Sequence, residues 1–170
     1  EGFPDYHPEH PGGKTGGGRS LECPLFAFGE LGPWADRVVQ GYQMSKHLVM
    51  NETTLGKGTT DQIDPAEAAR RQEGDLRGCG QALIGRLLKG CLDREIHPHT
   101  GHRAVRLLVD DGRVVGVEFE VGDETRRVEA RCGVVLATGG FDWDPELVRS
   151  FIRGPLERSV AVETNTGDGL

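Results

Sequence analysis

The pattern of apolar and polar residues divides the chain into four parts. Residues 1–33 hold most of the prolines and a dense glycine run, without a period of 2 or 3.6. We expect this part to be an irregular excursion that other structure holds in place. Residues 34–93 have helical spacing, residues 103–131 alternate, and residues 133–170 begin with a continuous apolar run. These patterns predict a chain of the α/β class.

Helical spacing in the second part predicts three helices. The first is expected over residues 34–49, with Pro33 just ahead of its start. Asp64 is expected to cap the second helix, and Pro65 suits its first position. Residues 81–93 give the clearest helical pattern. Its predicted apolar face consists of Leu83, Ile84, Leu87, Leu88, Cys91 and Leu92.

Alternation in the third part predicts a three-stranded antiparallel meander. Residues 105–109 lead into Asp111-Gly112, which is a tight-turn signal. Residues 113–121 place apolar side chains on one face, and a turn then precedes a third alternating segment at residues 125–131.

The fourth part begins with the run GVVLAT, which ends at Gly139 and Gly140. A continuous apolar run is typical of a strand covered on both faces in a parallel sheet, and we expect such a strand over residues 133–138. Asp144 and Pro145 then begin another helix. Ligands of α/β sheets bind outside the carboxyl ends of the strands, where small residues allow close approach. An ordinary turn explains the same glycine pair equally well.

Charge and composition exclude several classes of protein. A formal net charge of -7 argues against a nucleic-acid surface. The sequence has no apolar run near the roughly 20 residues that a membrane helix needs. Its four cysteines are widely spaced and favour reduced thiols in a cytoplasmic protein. Since the chain opens at Glu1 without Met and stops as a new segment begins, we expect a piece of a longer protein.

Four further motifs invite a chemical interpretation. Gly12-Gly13-Lys14-Thr15 lacks the first glycine of a P-loop, because position 8 is Pro8. His97, His99 and His102 have no carboxylate or thiolate at ligand spacing, so we predict no metal site. The segment NTGDG near the end offers a carboxylate to sugar hydroxyls, although a polar loop explains it as well. Tyr6 is a phenol in a proline-flanked loop, where packing is the simpler role.

Five segments, in chain order, carry a family resemblance. They are FPDYHPEHPGGKTGGGRSLE, GCGQALIGRLL, LLVDDGRVVGVEFE, VVLATGGFDWDPELVR and NTGDGL. Together they resemble the 3-ketosteroid 1-dehydrogenases, flavoproteins related to the flavoprotein subunits of fumarate reductase and succinate dehydrogenase. The ATGGF and TGDG motifs are shared with that wider superfamily and indicate FAD. The PDY, PGG and GRS motifs are more particular to the steroid enzymes.

The resemblance implies a Rossmann-like FAD-binding domain, of which residues 1–170 are an incomplete part that includes the antiparallel meander. It implies hydride transfer from C1 of a 3-ketosteroid to flavin N5, while a tyrosine base takes a proton from C2. Tyr6 matches the tyrosine that lies beside this base and supports it. The backbone near Arg103 aligns with an adenine contact. The positions that match cofactor-binding residues are Ala137, Thr138, Gly139, Gly140, Gly167 and Asp168.

Parts of the family pattern are missing. The sequence has no G-x-G-x-x-G with a following ribose-binding acid. The proton-abstracting tyrosine and the groups that polarise the 3-keto oxygen are expected beyond Leu170, so this piece alone should be inactive. His7 stands where steroid enzymes often have a second tyrosine.

Three interpretations therefore stay open. The first is a 3-ketosteroid dehydrogenase, and the second is a fumarate-reductase-like or other FAD-dependent dehydrogenase. The third is a non-catalytic α+β module whose glycines only form turns. The electron acceptor and the oligomeric state, a homo-oligomer included, are not decided by the sequence.

Overall fold

The computed structural model describes residues 2–3, 7, 9–16, 20–39, 46–53 and 63–169. The chain forms two compact units, Glu1–Pro98 and His99–Leu170. The first contains short strands, 3₁₀ turns and two α-helices, and the second contains a three-stranded sheet followed by one helix.

Two very short antiparallel ladders organise the first unit. Strand β1 (Gly2–Phe3) pairs with β2 (Ser20–Leu21), so the ends of the glycine-rich excursion lie side by side. Strand β3 (Phe26–Ala27) pairs with β4 (Leu76–Arg77). The region expected to be irregular therefore contains three two-residue strands.

The helix predicted over residues 34–49 is wrong in type and extent. A 3₁₀ segment instead spans Phe28–Arg37, interrupted by Gly32 with a φ of 54° and followed by extended backbone at Val38. Pro33 has no N–H to donate, so a regular helix cannot continue through it. A second 3₁₀ turn occupies Met50–Glu52. Residues 40–45, which the prediction also included, lie outside the described residues.

The other two predicted helices of this unit are confirmed. Helix α1 spans Pro65–Glu73, and Oδ1 of Asp64 accepts from the N–H groups of Ala66 and Glu67 at 2.8 and 3.3 Å. Helix α2 spans Cys79–Leu92. None of the helices in the described part of the chain is both long and apolar enough to cross a membrane.

The buried face of α2 matches the predicted one only in part, through Leu88 and Leu92, which pack against the core cluster. Ala82 and Gly85 are buried, whereas Leu83, Ile84 and Leu87 are about half exposed. The small residues face the aromatic cluster of this unit. A Cβ at Gly85 would lie 2.6 Å from Cδ1 of Phe26, so only glycine allows this approach. Shape, and not the number of apolar groups, therefore selects the buried side.

The buried cluster of the first unit is small and aromatic. It consists of Phe26, Phe28, Leu31 and Ala82, with Leu88 and Trp34 among the residues packed against it. The two phenylalanine rings meet edge to face with centroids 5.9 Å apart. The guanidinium of Arg77 lies 3.7 Å from the centroid of the Phe28 ring.

Two ion-pair clusters surround this core. Arg71 binds both carboxylate oxygens of Glu52, at 2.7 and 2.9 Å, and one oxygen of Glu67 at 2.7 Å. The hydrogen bonds from Arg71 lower the pKa of Glu52. Hydrogen bonds from Arg70 first, and from Arg71 second, lower the pKa of Glu67 to about 2. The carboxylate of Asp75 forms ion pairs with Arg77 at 2.7 Å and with Lys46 at 2.9 Å. The hydrogen bond from Arg77 is the main reason that the pKa of Asp75 falls to about 2.

The meander predicted for the second unit is confirmed. Strands β5 (Arg103–Asp110), β6 (Arg113–Val121) and β7 (Glu124–Glu129) pair antiparallel in that order. One face places Leu107, Val117 and Val128 in register across the three strands. The other aligns Arg106, Glu118 and Arg127 in the same way.

The buried strand predicted over residues 133–138 is not observed. These residues form no regular strand, and Val135 and Leu136 are exposed. A strand needs a hydrogen-bonded neighbour, and among the described residues none pairs with this run. The helix predicted after it is confirmed as α3 (Pro145–Phe151), capped by Asp144.

Candidate functional site

Two glycine-rich segments of the second unit meet, although about 25 residues separate them in the chain. They are residues 137–141 and residues 165–169. The N–H of Gly167 donates to the carbonyl of Gly140 at 3.0 Å. The N–H of Trp143 donates to the carbonyl of Asn165, also at 3.0 Å. The structure therefore brings together the two segments that the resemblance assigns to the cofactor.

The glycines at this junction are closely approached by neighbouring side chains. Gly139 has a φ of +85°, and a Cβ there would lie 2.5 Å from Oδ1 of Asn165. Gly167 has a φ of +82°, and a Cβ there would collide with Cδ1 of Leu147. A Cβ at Gly169 would collide with the hydroxyl of Thr138. The positive φ at Gly139 and Gly167 disfavours any other residue, and a Cβ at any of the three positions would force a neighbouring side chain to shift.

Helix α3 fixes one wall of the junction. Oδ1 of Asp144 accepts from the N–H groups of Glu146 and Leu147, both at 2.8 Å, and so caps the helix. The N–H of Asp144 donates to the carbonyl of Phe141 at 3.0 Å. This local cap therefore sets the position of Leu147 against Gly167.

The two segments enclose a cleft of about 200 Å³. Sites for drug-sized ligands have volumes of roughly 300–1,000 Å³, so this cleft can hold only a portion of a dinucleotide. Its walls expose much backbone, because five of its residues are glycine or alanine and all five are exposed or partly exposed. The lining residues are Leu136, Ala137, Thr138, Gly139, Gly140, Phe141, Gly167 and Gly169.

The other predicted site residues lie in different surroundings. The carboxylate of Asp168 accepts from the hydroxyl of Thr166 at 3.1 Å. Arg103 begins β5, with its side chain 81% exposed and 3.8 Å from Glu120. Tyr6 lies outside the described residues. The cofactor and catalytic roles of these residues stay predictions.

Four residues at the cleft did not appear among the predicted site residues. Leu136, Phe141 and Gly169 line the cleft. The carbonyl of Asn165 accepts from the N–H of Trp143, just beyond the first segment. Asn165 and Gly169 stand at the two ends of the NTGDG motif, so the motif already contained the signal. Phe141 also lies against the second segment, because a Cβ added at Gly167 would be 3.3 Å from the Cβ of Phe141.

Comparison with known proteins gives three findings. Residues 17–170 match the family model described as the FAD binding domain. The chain is 33% identical to the 4-oxocyclohexanecarboxylate 2-dehydrogenase of Sinomonas cyclohexanicum, over 100% of this chain and 30% of that protein. It is 30% identical to the 3-oxosteroid 1-dehydrogenase of Mycolicibacterium smegmatis, over 99% of this chain and 33% of that protein.

A solved structure shows the same fold. It is the 3-ketosteroid delta1-dehydrogenase of Sterolibacterium denitrificans in complex with 1,4-androstadiene-3,17-dione, with a TM-score of 0.74 at 24% identity. The match covers 98% of this chain and 34% of that one. The chain thus spans about a third of the length of the relatives it matches. These findings confirm the predicted fold class, part of a Rossmann-like FAD-binding domain with an antiparallel meander.

Proposed function

The chain belongs to the FAD binding domain family, and from this premise we propose that it supplies part of the FAD site of a longer dehydrogenase. The reaction proposed for that longer protein is the introduction of a C1–C2 double bond into 3-ketosteroids. The junction of residues 137–141 with residues 165–169 is the observation that carries the proposal.

The chemistry of the cleft suits a portion of FAD. The hydrogen bond from Gly167 to Gly140 holds the two loops at a fixed separation. Glycines on both loops leave the backbone accessible, so ligand atoms can approach peptide groups closely. The hydroxyl of Thr138 and the carboxylate of Asp168 add side-chain partners for polar ligand atoms. Bound there, FAD would supply the hydride acceptor.

The chain's own residues would then bind and position the cofactor. The positive-φ glycines, Gly139 and Gly167, give the cleft its shape, and the Asp144 cap keeps α3 against it. Tyr6 is proposed to support the tyrosine that removes the proton from C2. The names of the 3-oxosteroid relative and of the 4-oxocyclohexanecarboxylate relative each state a substrate with a ring ketone. A ketone makes the neighbouring C–H acidic, which suits proton abstraction followed by hydride loss.

A spectrum of the complete protein tests the function. It would be recorded anaerobically, before and after addition of a 3-ketosteroid saturated at C1–C2. We expect a flavin band that bleaches with the steroid. A flavin band that does not respond to the steroid would support the FAD site but would exclude a 3-ketosteroid as the substrate. The absence of a flavin band would reject the proposal as a whole.

A glycine substitution tests the cleft itself. Gly139→Ala combines a positive φ with a Cβ 2.5 Å from Asn165, whereas Gly154→Ala meets a φ of +103° and no atom within 4 Å. Both carry the backbone strain of about 1–2 kcal/mol, so the second is a matched control. We expect Gly139→Ala to weaken FAD binding by the complete protein about tenfold more than the control does, as measured by quenching of flavin fluorescence. Equal affinities would remove the cleft from the FAD site.

A second substrate class has support of its own. The 4-oxocyclohexanecarboxylate dehydrogenase matches the whole chain at 33% identity, somewhat above the 30% of the steroid enzyme. His7 also departs from the tyrosine that is common in steroid enzymes. The alternative is therefore a dehydrogenase of a monocyclic ketone acid. Adding 4-oxocyclohexanecarboxylate in the same anaerobic experiment distinguishes the two, because only the true substrate class bleaches the flavin quickly.

We also propose a cytoplasmic location for the complete protein. The support is the state of the cysteines, since Cys23, Cys79, Cys91 and Cys132 are all free thiols. Reduced thiols are typical of cytosolic proteins. Fractionation of cells that produce the complete protein would check this.

A further inference from the structure

A tight turn in the first unit brings two imidazoles and a carboxylate together. The N–H of His10 donates to the carbonyl of His7 at 3.2 Å, and the N–H of Gly13 donates to the carbonyl of His10 at 2.8 Å. Two successive turns thus fold the segment around His10. The sequence has proline at the second position of the first turn, where it is favoured. The backbone therefore gathers His7, Glu9 and His10 by local geometry.

The side chains of these three residues converge. Nδ1 of His7 lies 3.1 Å from Oε1 of Glu9, and the rings of His7 and His10 are 5.6 Å apart. One ligand atom from each residue lies within 4.8 Å of the other two. Ligand atoms around a tetrahedral zinc ion are roughly 3.3 Å apart, so no separation between these three ligand atoms has to shorten by more than about 1.5 Å. Exposure of 75% for His7 and 66% for Glu9 leaves room for that rotation.

We propose that His7, Glu9 and His10 form a binding site for a divalent transition-metal ion such as Zn²⁺. Two imidazole nitrogens and one carboxylate oxygen are ligands that this class of ion prefers. Three protein ligands leave a fourth position for water. The ion replaces the hydrogen bond between His7 and Glu9 and reaches the site directly from solvent.

The other histidine group of the chain provides a contrast. The rings of His99 and His102 are 5.3 Å apart, close to the separation of the His7 and His10 rings. Within the described residues no third ligand joins them, and Nδ1 of His102 already lies 3.0 Å from the carbonyl of Thr100. The third ligand is therefore what distinguishes the proposed site from a pair of neighbouring imidazoles.

A titration of the full 170-residue chain with ZnCl₂ tests the site. Isothermal calorimetry at pH 7.5 would compare the unchanged chain with His7→Gln/His10→Gln, with Glu9→Gln and with His99→Gln/His102→Gln. The first and last variants each remove two exposed imidazoles, so the last is the matched control. We expect one equivalent of zinc to bind the unchanged chain and the control with equal affinity. Loss of a direct ligand should weaken binding by at least about tenfold.

Absence of binding to the unchanged chain would overturn the proposal. So would an affinity that survives in His7→Gln/His10→Gln, or one that is lost in the control. Since no flavin is present in the titration, its result does not depend on the proposed FAD site.

Discussion

The two units of the chain reach a defined structure in different ways. Residues 1–98 enclose an aromatic cluster, centred on Phe28, and surround it with ion pairs. Residues 99–170 form a sheet and two adjoining loops whose apolar side chains are largely exposed, Val135 and Val128 among them. At Gly139, Gly167 and Gly169, neighbouring side chains approach the backbone closely.

This difference shows that the two units rely on different kinds of residue. In the first unit large side chains exclude water, and burial of apolar surface stabilises the fold. In the second unit missing side chains matter more, because they leave the backbone near the cleft accessible. The proposed contact with FAD requires this backbone to stay uncovered by the unit's own side chains. We therefore expect the first unit to depend on its interior and the second to gain stability from a bound ligand.

The chain contains its own probes for this comparison. It has two tryptophans, Trp34 in the first unit and Trp143 in the second. Trp34 packs against the aromatic cluster, and Nε1 of Trp143 donates to the carbonyl of Ala161 at 2.8 Å. Urea unfolding of Trp143→Phe and Trp34→Phe backgrounds therefore reports the two units separately through fluorescence.

The largest effect is expected at the aromatic cluster. Phe28 is fully buried, whereas Phe151 of the second unit is 65% exposed. Phe28→Ala should lower the free energy of unfolding of the first unit by about 3–5 kcal/mol. Phe151→Ala should cost the second unit about 1 kcal/mol, since it loses little more than its contact with Phe141. Similar losses in both units would remove the proposed difference.

A smaller effect is expected at the ion pairs. The side chain of Arg71 is 10% exposed, and Arg71→Met would leave the half-buried Glu52 without its bidentate partner. We expect a loss of about 3 kcal/mol in the first unit. Arg106→Met removes a 61% exposed arginine from Glu118, which keeps Arg127 at 2.8 Å. That loss should be about 1 kcal/mol, and the same urea experiment measures both.

The smallest effect is expected on the stability of the first unit at low pH. Folding lowers the pKa of Asp75 to about 2, chiefly through the hydrogen bond from Arg77, while the unfolded value is about 3.9. A lowered pKa contributes stability above the unfolded value, and that stability is lost as the pH falls from about 4 towards 2. Because the side chain is about one-third exposed, we expect the contribution to be only about 1 kcal/mol.

Asp75→Asn should therefore flatten the acid limb of the stability curve for the first unit. Urea midpoints of the Trp34 signal between pH 5 and pH 2 would show this. The Trp143 signal should follow the same curve with and without the substitution. An unchanged acid limb in the Trp34 signal would mean that Asp75 is not held by Arg77 in solution.

The amino-acid sequence by itself determined the features that depend on near neighbours. Asp64 and Asp144 cap helices that begin at the next residue, and the meander follows from alternation and two turns. Caps, turns and alternation involve contacts within a few residues, so their signal is complete in a short window. The family motifs added the FAD-binding fold, which the comparisons confirm.

Only the tertiary structure decided the features that depend on distant residues. Gly85 lies on the buried side of α2 because the ring of Phe26, far earlier in the chain, fills the space that a larger side chain would need. The run at residues 133–138 forms no strand, since a strand also requires a neighbour that its own pattern does not supply. The junction of Gly140 with Gly167 is likewise a long-range contact. Local patterns specify which element a segment favours, but its partner and its buried side are set by the rest of the fold.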